Sequence, residues 1–422
     1  MDKVQYYLER AIPELQDLEH KGVYSHDEVK SIMRKRTYFE RALARRHAKK
    51  EDFLRYAEYE MNLEKLRRRR ANRAKGKISI SDWAGPRRVF FIFDRATRKF
   101  HGDLALWLQF LDYANSEKAF KVYGKVIASA LKFLPSQPAL WILAAQHELD
   151  HTLSISAARI LMQRGLRFHN QCTHLWIEYG RLELIYCSKI FGRRKILQIG
   201  ESDISSIQPE EKDDHQLLGT AGVAGSDADL LSLNDRQLMA LQNIDENPAL
   251  NGDVPLTIYQ SACAVLKNDV DLHIGFYKLF NEFIELKFSD RLKNAVISVL
   301  YEQFAANPRA LIFIAAFSLE NFDSIPESQL PRRLGTTLDH IFDLYDKTSS
   351  KSEYTSLASM YLLSLWRRPM HQALLKAVEA SVFRILDLAE ADGTLSPEGQ
   401  HIRNDWLIER EKKQVTRQVW HS

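Results

Sequence analysis

The stretch Pro138-Ala139-Leu140-Trp141-Ile142-Leu143-Ala144-Ala145-Gln146-His147-Glu148 decides the fold, because most of its pattern recurs upstream and downstream. Trp107, Trp141 and Trp176 stand 34 and 35 residues apart, each followed three residues on by Phe110, Ala144 or Tyr179. Glu148 and Glu183 follow two of them at a distance of seven. Offsets of three and seven lie on one face of an α-helix. A small residue precedes each tryptophan by 11: Ala96, Ala130 and Gly165. These keep the same period. Two independent markers sharing one period predict a unit of about 34 residues built from two helices, whose apolar faces are buried only by stacking. Phe53, with Tyr56 and Glu60, reads as an earlier copy with phenylalanine in the tryptophan position.

Composition agrees with long helices. The 422 residues include only 17 Gly and 12 Pro, and hydrophobic residues make up 45%, enough for a sizeable core. Few segments alternate apolar with polar residues. No run approaches the roughly 18–20 apolar residues that cross a bilayer, and the amphipathic, acid-containing start MDKVQYYLERAIPELQDLE is unlike a signal or transit peptide. Three scattered cysteines (Cys172, Cys187, Cys263) make no disulfide framework and point to a reducing compartment.

The net charge of +4 hides a segregation. Residues 1–100 carry 26 Lys+Arg against 15 Asp+Glu, whereas 200–253 carry 2 against 12. Four parts are expected: an N-terminal helical module (1–50), repeats with a basic insertion at 65–86 (51–198), an acidic flexible loop (199–235), and a divergent helical half with degenerate repeats (236–422). In the first, residues 3–20 read as one helix kinked at Pro13 with Gly22 as its cap, and Ser25-His26-Asp27-Glu28 as a capping box. In the last, helices are expected at 254–267, 272–288, 290–306, 328–346, 352–366, 369–391 and 396–417. There Phe313 takes the tryptophan's place, with Glu320 seven residues on and Tyr277 36 residues before.

The chemistry-bearing residues fall into separate clusters. Gly219, Gly222 and Gly225 have a phosphate-loop spacing but no preceding strand, so they read as linker. His169, Cys172 and His174 lack the second ligand pair that a structural zinc needs, and fall where the repeat turns. Asp150, His151 and Ser154 share another turn without an oxyanion hole. No catalytic residue, metal or cofactor is therefore expected. The basic cluster Lys65, Arg67, Arg68, Arg69, Arg70, Arg73, Lys75 and Lys77 is different in kind. Four successive arginines on a helix present charge all round, which predicts an unpacked segment contacting RNA phosphates or serving nuclear import; the alternative is a solvated face. Arg193-Arg194-Lys195 is a lesser patch.

Pro138 to Trp141 with Glu148, followed by Ala157-Ala158-Arg159-Ile160, resembles the HAT (half-a-TPR) repeat. The opening is more specific. Tyr7-Leu8-Glu9, Ile12-Pro13-Glu14-Leu15, Lys21-Gly22-Val23-Tyr24, Ile32-Met33-Arg34-Lys35-Arg36 and Phe39-Glu40 resemble the U3 small nucleolar RNA-associated HAT proteins, fungal in type. The likeness returns at Asn247-Pro248-Ala249-Leu250, Gly252-Asp253 and Leu256-Thr257-Ile258. The resemblance implies an all-α, α-solenoid scaffold of the UTP-B subcomplex of the small-subunit processome, acting in the nucleolus on maturation to 18S rRNA. Implied partners are WD-repeat propeller subunits, the U3 small nucleolar ribonucleoprotein and pre-rRNA, with no membrane and no small-molecule substrate. Two rivals stand beside it: a HAT scaffold of pre-mRNA splicing or 3′-end processing, and a TPR-like peptide-binding cochaperone.

Overall fold

A computed structural model describes residues 3–74, 79–196, 251–319, 326–368 and 370–394, together with Phe322 and isolated positions between 397 and 406. Among them there are helices and no strand. The chain divides into two compact units, Met1–Asn170 and Gln171–Ser422.

The first unit opens with α1 (Lys3–Glu9), α2 (Ile12–His20) and α3 (His26–Leu43). Residues 3–20 are thus two helices, not one kinked helix. Proline lacks an N–H and fits a first turn, so Pro13 starts α2. Gly22 takes a φ of +66° just after α2, where any side chain would be strained. Ser25 caps α3 by a reciprocal box: the Glu28 N–H donates to Ser25 Oγ (3.3 Å) and the Ser25 N–H to Glu28 Oε2 (2.9 Å). Leu15, Leu18, Val23, Tyr24 and Ile32 form the small core of this module.

Three helix pairs follow: α4 (Lys50–Ala74) with α5 (Ser81–Lys99), α6 (Leu104–Ser116) with α7 (Phe120–Phe133), and α8 (Pro138–Asp150) with α9 (Ile155–Phe168). Each helix packs on the next. The extra length between Phe53 and Ala96 goes largely into lengthening α4 and α5. Asp103 and Ser154 cap α6 and α9 with their side chains.

The repeat markers do one job each time. Phe53, Trp107 and Trp141 are buried four residues after the first-helix N-cap or its equivalent. Trp107 Nε1 donates to the His101 carbonyl (2.9 Å) and Trp141 Nε1 to the Pro135 carbonyl (3.0 Å). The buried indole thereby satisfies its one donor in the preceding turn. The rings stack on Phe133 (6.2 Å) and Phe168 (5.7 Å), and Phe53 meets Phe100 edge-on (5.9 Å). Ala96, Ala130 and Gly165 are buried, and their carbonyls accept the N–H groups that end α5, α7 and α9.

The second unit begins with α10 (Thr173–Ile196), which carries buried Trp176. It continues through α11 (Asp253–Val265), α12 (Val270–Glu282), α13 (Ser289–Gln303), α14 (Pro308–Ala316), α15 (Leu330–Tyr345), α16 (Lys351–Trp366) and α17 (Gln372–Ala391). The acidic loop 199–235, Asn247 to Leu250, Glu320 and most of the expected 396–417 helix lie outside the described residues.

Caps correct the repeat register here. Asp269 and Asn307 cap α12 and α14 as Asp103 caps α6, which puts His273 and Leu311 in the tryptophan's place. Ala262, fully buried, stands 11 residues before His273. Phe313 is instead two residues past that place, half-buried and edge-on to Tyr277 at 5.2 Å.

Candidate assembly and nucleic-acid interface

Helix α4 has two halves. In the first, Phe53, Tyr56 and Ala57 point into the core. One turn on, the same face presents Glu60, and one further turn Glu64, both buried. A buried carboxylate is tolerable only if it is paired and hydrogen-bonded. Both are.

Arg36 of α3, 1% exposed, meets Glu60 in a fork: Nε to Oε1 at 2.7 Å and Nη2 to Oε2 at 2.9 Å. The same Nη2 reaches Glu14 of α2 at 3.4 Å, and Arg88 of α5 closes on Glu14 from the other side. Glu64 accepts two hydrogen bonds from Arg67, both 2.8 Å, and one from Arg68 Nε at 2.8 Å. Arg67 Nη1 also donates to Asp82 at 2.6 Å, and Lys21 joins Asp82 at 3.0 Å. Gly85 makes room for this: a Cβ there would strike the Glu64 carboxylate. Arg95 forks on Glu40 at 2.8 and 2.9 Å. The lattice binds α2, α3, α4 and α5 into one body.

The expectation that the arginine run is unpacked is therefore corrected. Arg67 is 8% exposed. Arg68 reaches Glu117, the residue that caps the C-terminus of α6. Arg70 forks on Glu28 at 2.8 and 2.9 Å, donates to the Val23 carbonyl at 3.1 Å, and covers the Tyr24 ring. Hydrogen bonding to Glu64 raises the already high pKa of Arg67, and the hydrogen bond from Arg70 holds the Glu28 carboxyl below its ordinary value. The run packs because acids on α3, α4 and α5 and at the C-terminal cap of α6 await it, which the run itself does not reveal. Lys65, Arg69 and Arg73 remain exposed, at steps of four along one stripe of α4. Lys75 and Lys77 lie outside the described residues.

The other clusters take structural places. His169 Nε2 lies 3.1 Å from the Pro135 carbonyl, and no group of three metal-binding side chains occurs among the described residues. Ser154 is a helix cap, and His151 stacks on Phe120 with centroids 3.7 Å apart. The sequence marks Glu60 as a repeat position and Glu14 and Arg36 within the family resemblance, but does not show that they and Glu64 pair in a buried lattice. The available signal was Glu60 and Glu64 continuing the apolar spacing of Phe53 and Tyr56.

Residues 8–88, which run from α1 through Arg88, match the family model described as U3 small nucleolar RNA-associated protein 6. Over this segment the chain is similar to that family. It is 48% identical over 198 residues to the U3 small nucleolar RNA-associated protein 6 of Schizosaccharomyces pombe, covering 46% of this chain and 41% of that protein. The mouse homolog of the same name is 35% identical over 211 residues, 49% of this chain and 35% of its own length. The Dictyostelium discoideum homolog is 27% identical over 355 residues, 80% of this chain and 56% of its own. The matched stretches thus cover less than two thirds of each of these relatives. Most of the charged lattice falls inside the U3-associated family segment: Glu14, Arg36, Glu60, Glu64, Arg67, Asp82 and Arg88 all do.

Proposed function

We propose that this chain is a non-catalytic scaffold of the assembly that the U3 small nucleolar RNA organises, acting in the nucleolus on pre-rRNA processing to 18S rRNA. The observation that carries this reading is the coincidence just described. The segment similar to the U3-associated family model is the one whose arginine–carboxylate lattice ties α2 and α3 to α4 and α5. Forked arginine–carboxylate pairs fix the angle and register of the helices that carry them. A rigid module fixed to stacked helix pairs suits the joining of other subunits.

Within this proposal the assembly is the small-subunit processome and the chain sits in its UTP-B subcomplex. Its partners are WD-repeat propeller subunits, the U3 ribonucleoprotein and pre-rRNA. The plan of a module at 1–50 followed by repeats over 51–198 belongs to the same proposal. Lys65, Arg69 and Arg73 are the groups offered to RNA phosphate or to import machinery, since the other described arginines of the run are engaged within the protein.

Depletion of the native protein and complementation with this chain tests the reading. Restored 18S maturation supports it; normal 18S rRNA in depleted cells, with a defect in splicing or 3′-end formation, would favour the other HAT scaffolds.

A further inference from the structure

Two cavities open beside α5 in the first unit. One, of about 350 Å³, is walled by Tyr7 of α1, Arg10 in the turn after it, Glu40 of α3 and residues of α2 and α5. The other, of about 400 Å³, lies among α5, α6 and α7. They meet at Arg87 and Phe91, which line both. The floor is apolar: Phe90, Phe91, Phe110 and Val122, with Ile80 (73% exposed) and Phe133 (48% exposed) open to solvent at its ends.

The charges along this groove are unequal in availability. Its carboxylates are taken: Glu14 by Arg36 and Arg88, Glu40 by Arg95, Asp94 by Arg98 at 2.9 Å. Arg10, Arg87 and Lys125 are exposed, and no ion pair engages them among the described residues. The free charge at the rim is therefore positive while the floor is apolar.

We infer that this groove docks an acidic segment of a protein partner, one whose aliphatic or aromatic side chains seat on the floor while its carboxylates meet Arg10, Arg87 and Lys125. Complementary charge at a rim steers and orients such a segment, and apolar anchors in a concave site supply the affinity. The aromatic faces do not suit stacked bases. Arg95 covers the Phe91 ring at 4.6 Å, Phe90 is edge-on to Tyr113 at 5.1 Å, and Phe110 is stacked on Phe93 at 5.4 Å. Single-stranded RNA needs open rings. The inference extends the scaffold reading and names the chemistry of one partner.

The test is fluorescence anisotropy of the full chain with three labelled probes: a short peptide of repeating Asp-Leu-Glu-Phe, the same peptide with Lys in place of each acid, and a short oligouridine. The acidic peptide should bind and the lysine peptide should not. Arg87→Glu should weaken the acidic peptide about tenfold or more, with an unchanged melting curve because Arg87 is exposed, whereas Lys376→Glu at an exposed position of α17 should leave it bound. Failure of the acidic peptide to bind, equal binding of the lysine peptide, indifference to Arg87→Glu, or oligouridine binding that Arg87→Glu abolishes would each overturn the proposal. None of these outcomes touches the U3 association, which is read from copurifying RNA.

Discussion

Arg36 and Glu60 face each other across the contact of α3 and α4 with two hydrogen bonds, 2.7 and 2.9 Å, and water reaches neither side chain. Removing one member leaves a buried charge uncompensated. Arg36→Met should therefore lower unfolding free energy by about 3–5 kcal/mol, whereas the double variant Arg36→Met/Glu60→Met should recover much of the loss. Urea denaturation of the single and double variants measures the coupling. A double variant as unstable as the sum of the singles would show that the pair is not the unit.

Trp141 is the best measure of the repeat register. Its ring stacks on Phe168 and its N–H is spent on the Pro135 carbonyl. Trp141→Ala should cost about 3–5 kcal/mol, and Trp141→Phe less, losing the hydrogen bond but keeping most of the packing. An unchanged melting transition would mean that the indole is a surface anchor.

Histidines set an acid limit. His151 and His273 both titrate below the ordinary imidazole value, chiefly because burial penalises the charged ring. A base with a depressed folded pKa contributes its stability above its unfolded value, about 6.5, and loses it as pH falls below that point. Melting temperature should hold between about pH 8 and 7 and then decline. Carboxylates held low, such as Glu28, act in a separate window below about pH 4. His273→Leu should flatten the first decline; a profile unchanged by it would assign that step elsewhere.

What could be read beforehand follows from where the information sits. The tryptophan period and the capping box at Ser25 are local, so the pairs α6–α7 and α8–α9 and the start of α3 were legible. The arginine run was misread because its partners, Glu28, Asp82 and Glu117, are remote in sequence, and charge in a helix looks the same whether solvated or paired. The second unit blurred for another reason. His273 and Leu311 fill the tryptophan's place without resembling it, and only the caps at Asp269 and Asn307 reveal the register.

The exposed stripe separates two roles of the basic cluster. Replacing Lys65, Arg69 and Arg73 with Gln should leave stability nearly unchanged, because each side chain is exposed. If they meet RNA phosphates, the slope of log affinity against log salt should fall by roughly 0.7–0.9 for each lost contact. Arg67→Gln should instead destabilise the fold, since Glu64 and Asp82 lose their partner. Unaltered RNA binding with loss of nuclear accumulation in the triple variant would assign the stripe to import.

Whether this chain is a U3-associated scaffold is settled most directly by the RNA that it carries. The tagged chain, expressed at native level and precipitated from nuclear extract, should enrich the U3 small nucleolar RNA over the spliceosomal small nuclear RNAs. The Arg36→Met variant should carry less, because the lattice that fixes the N-terminal module would be broken. Recovery of spliceosomal RNA in its place, or of no small RNA above background, would contradict the account.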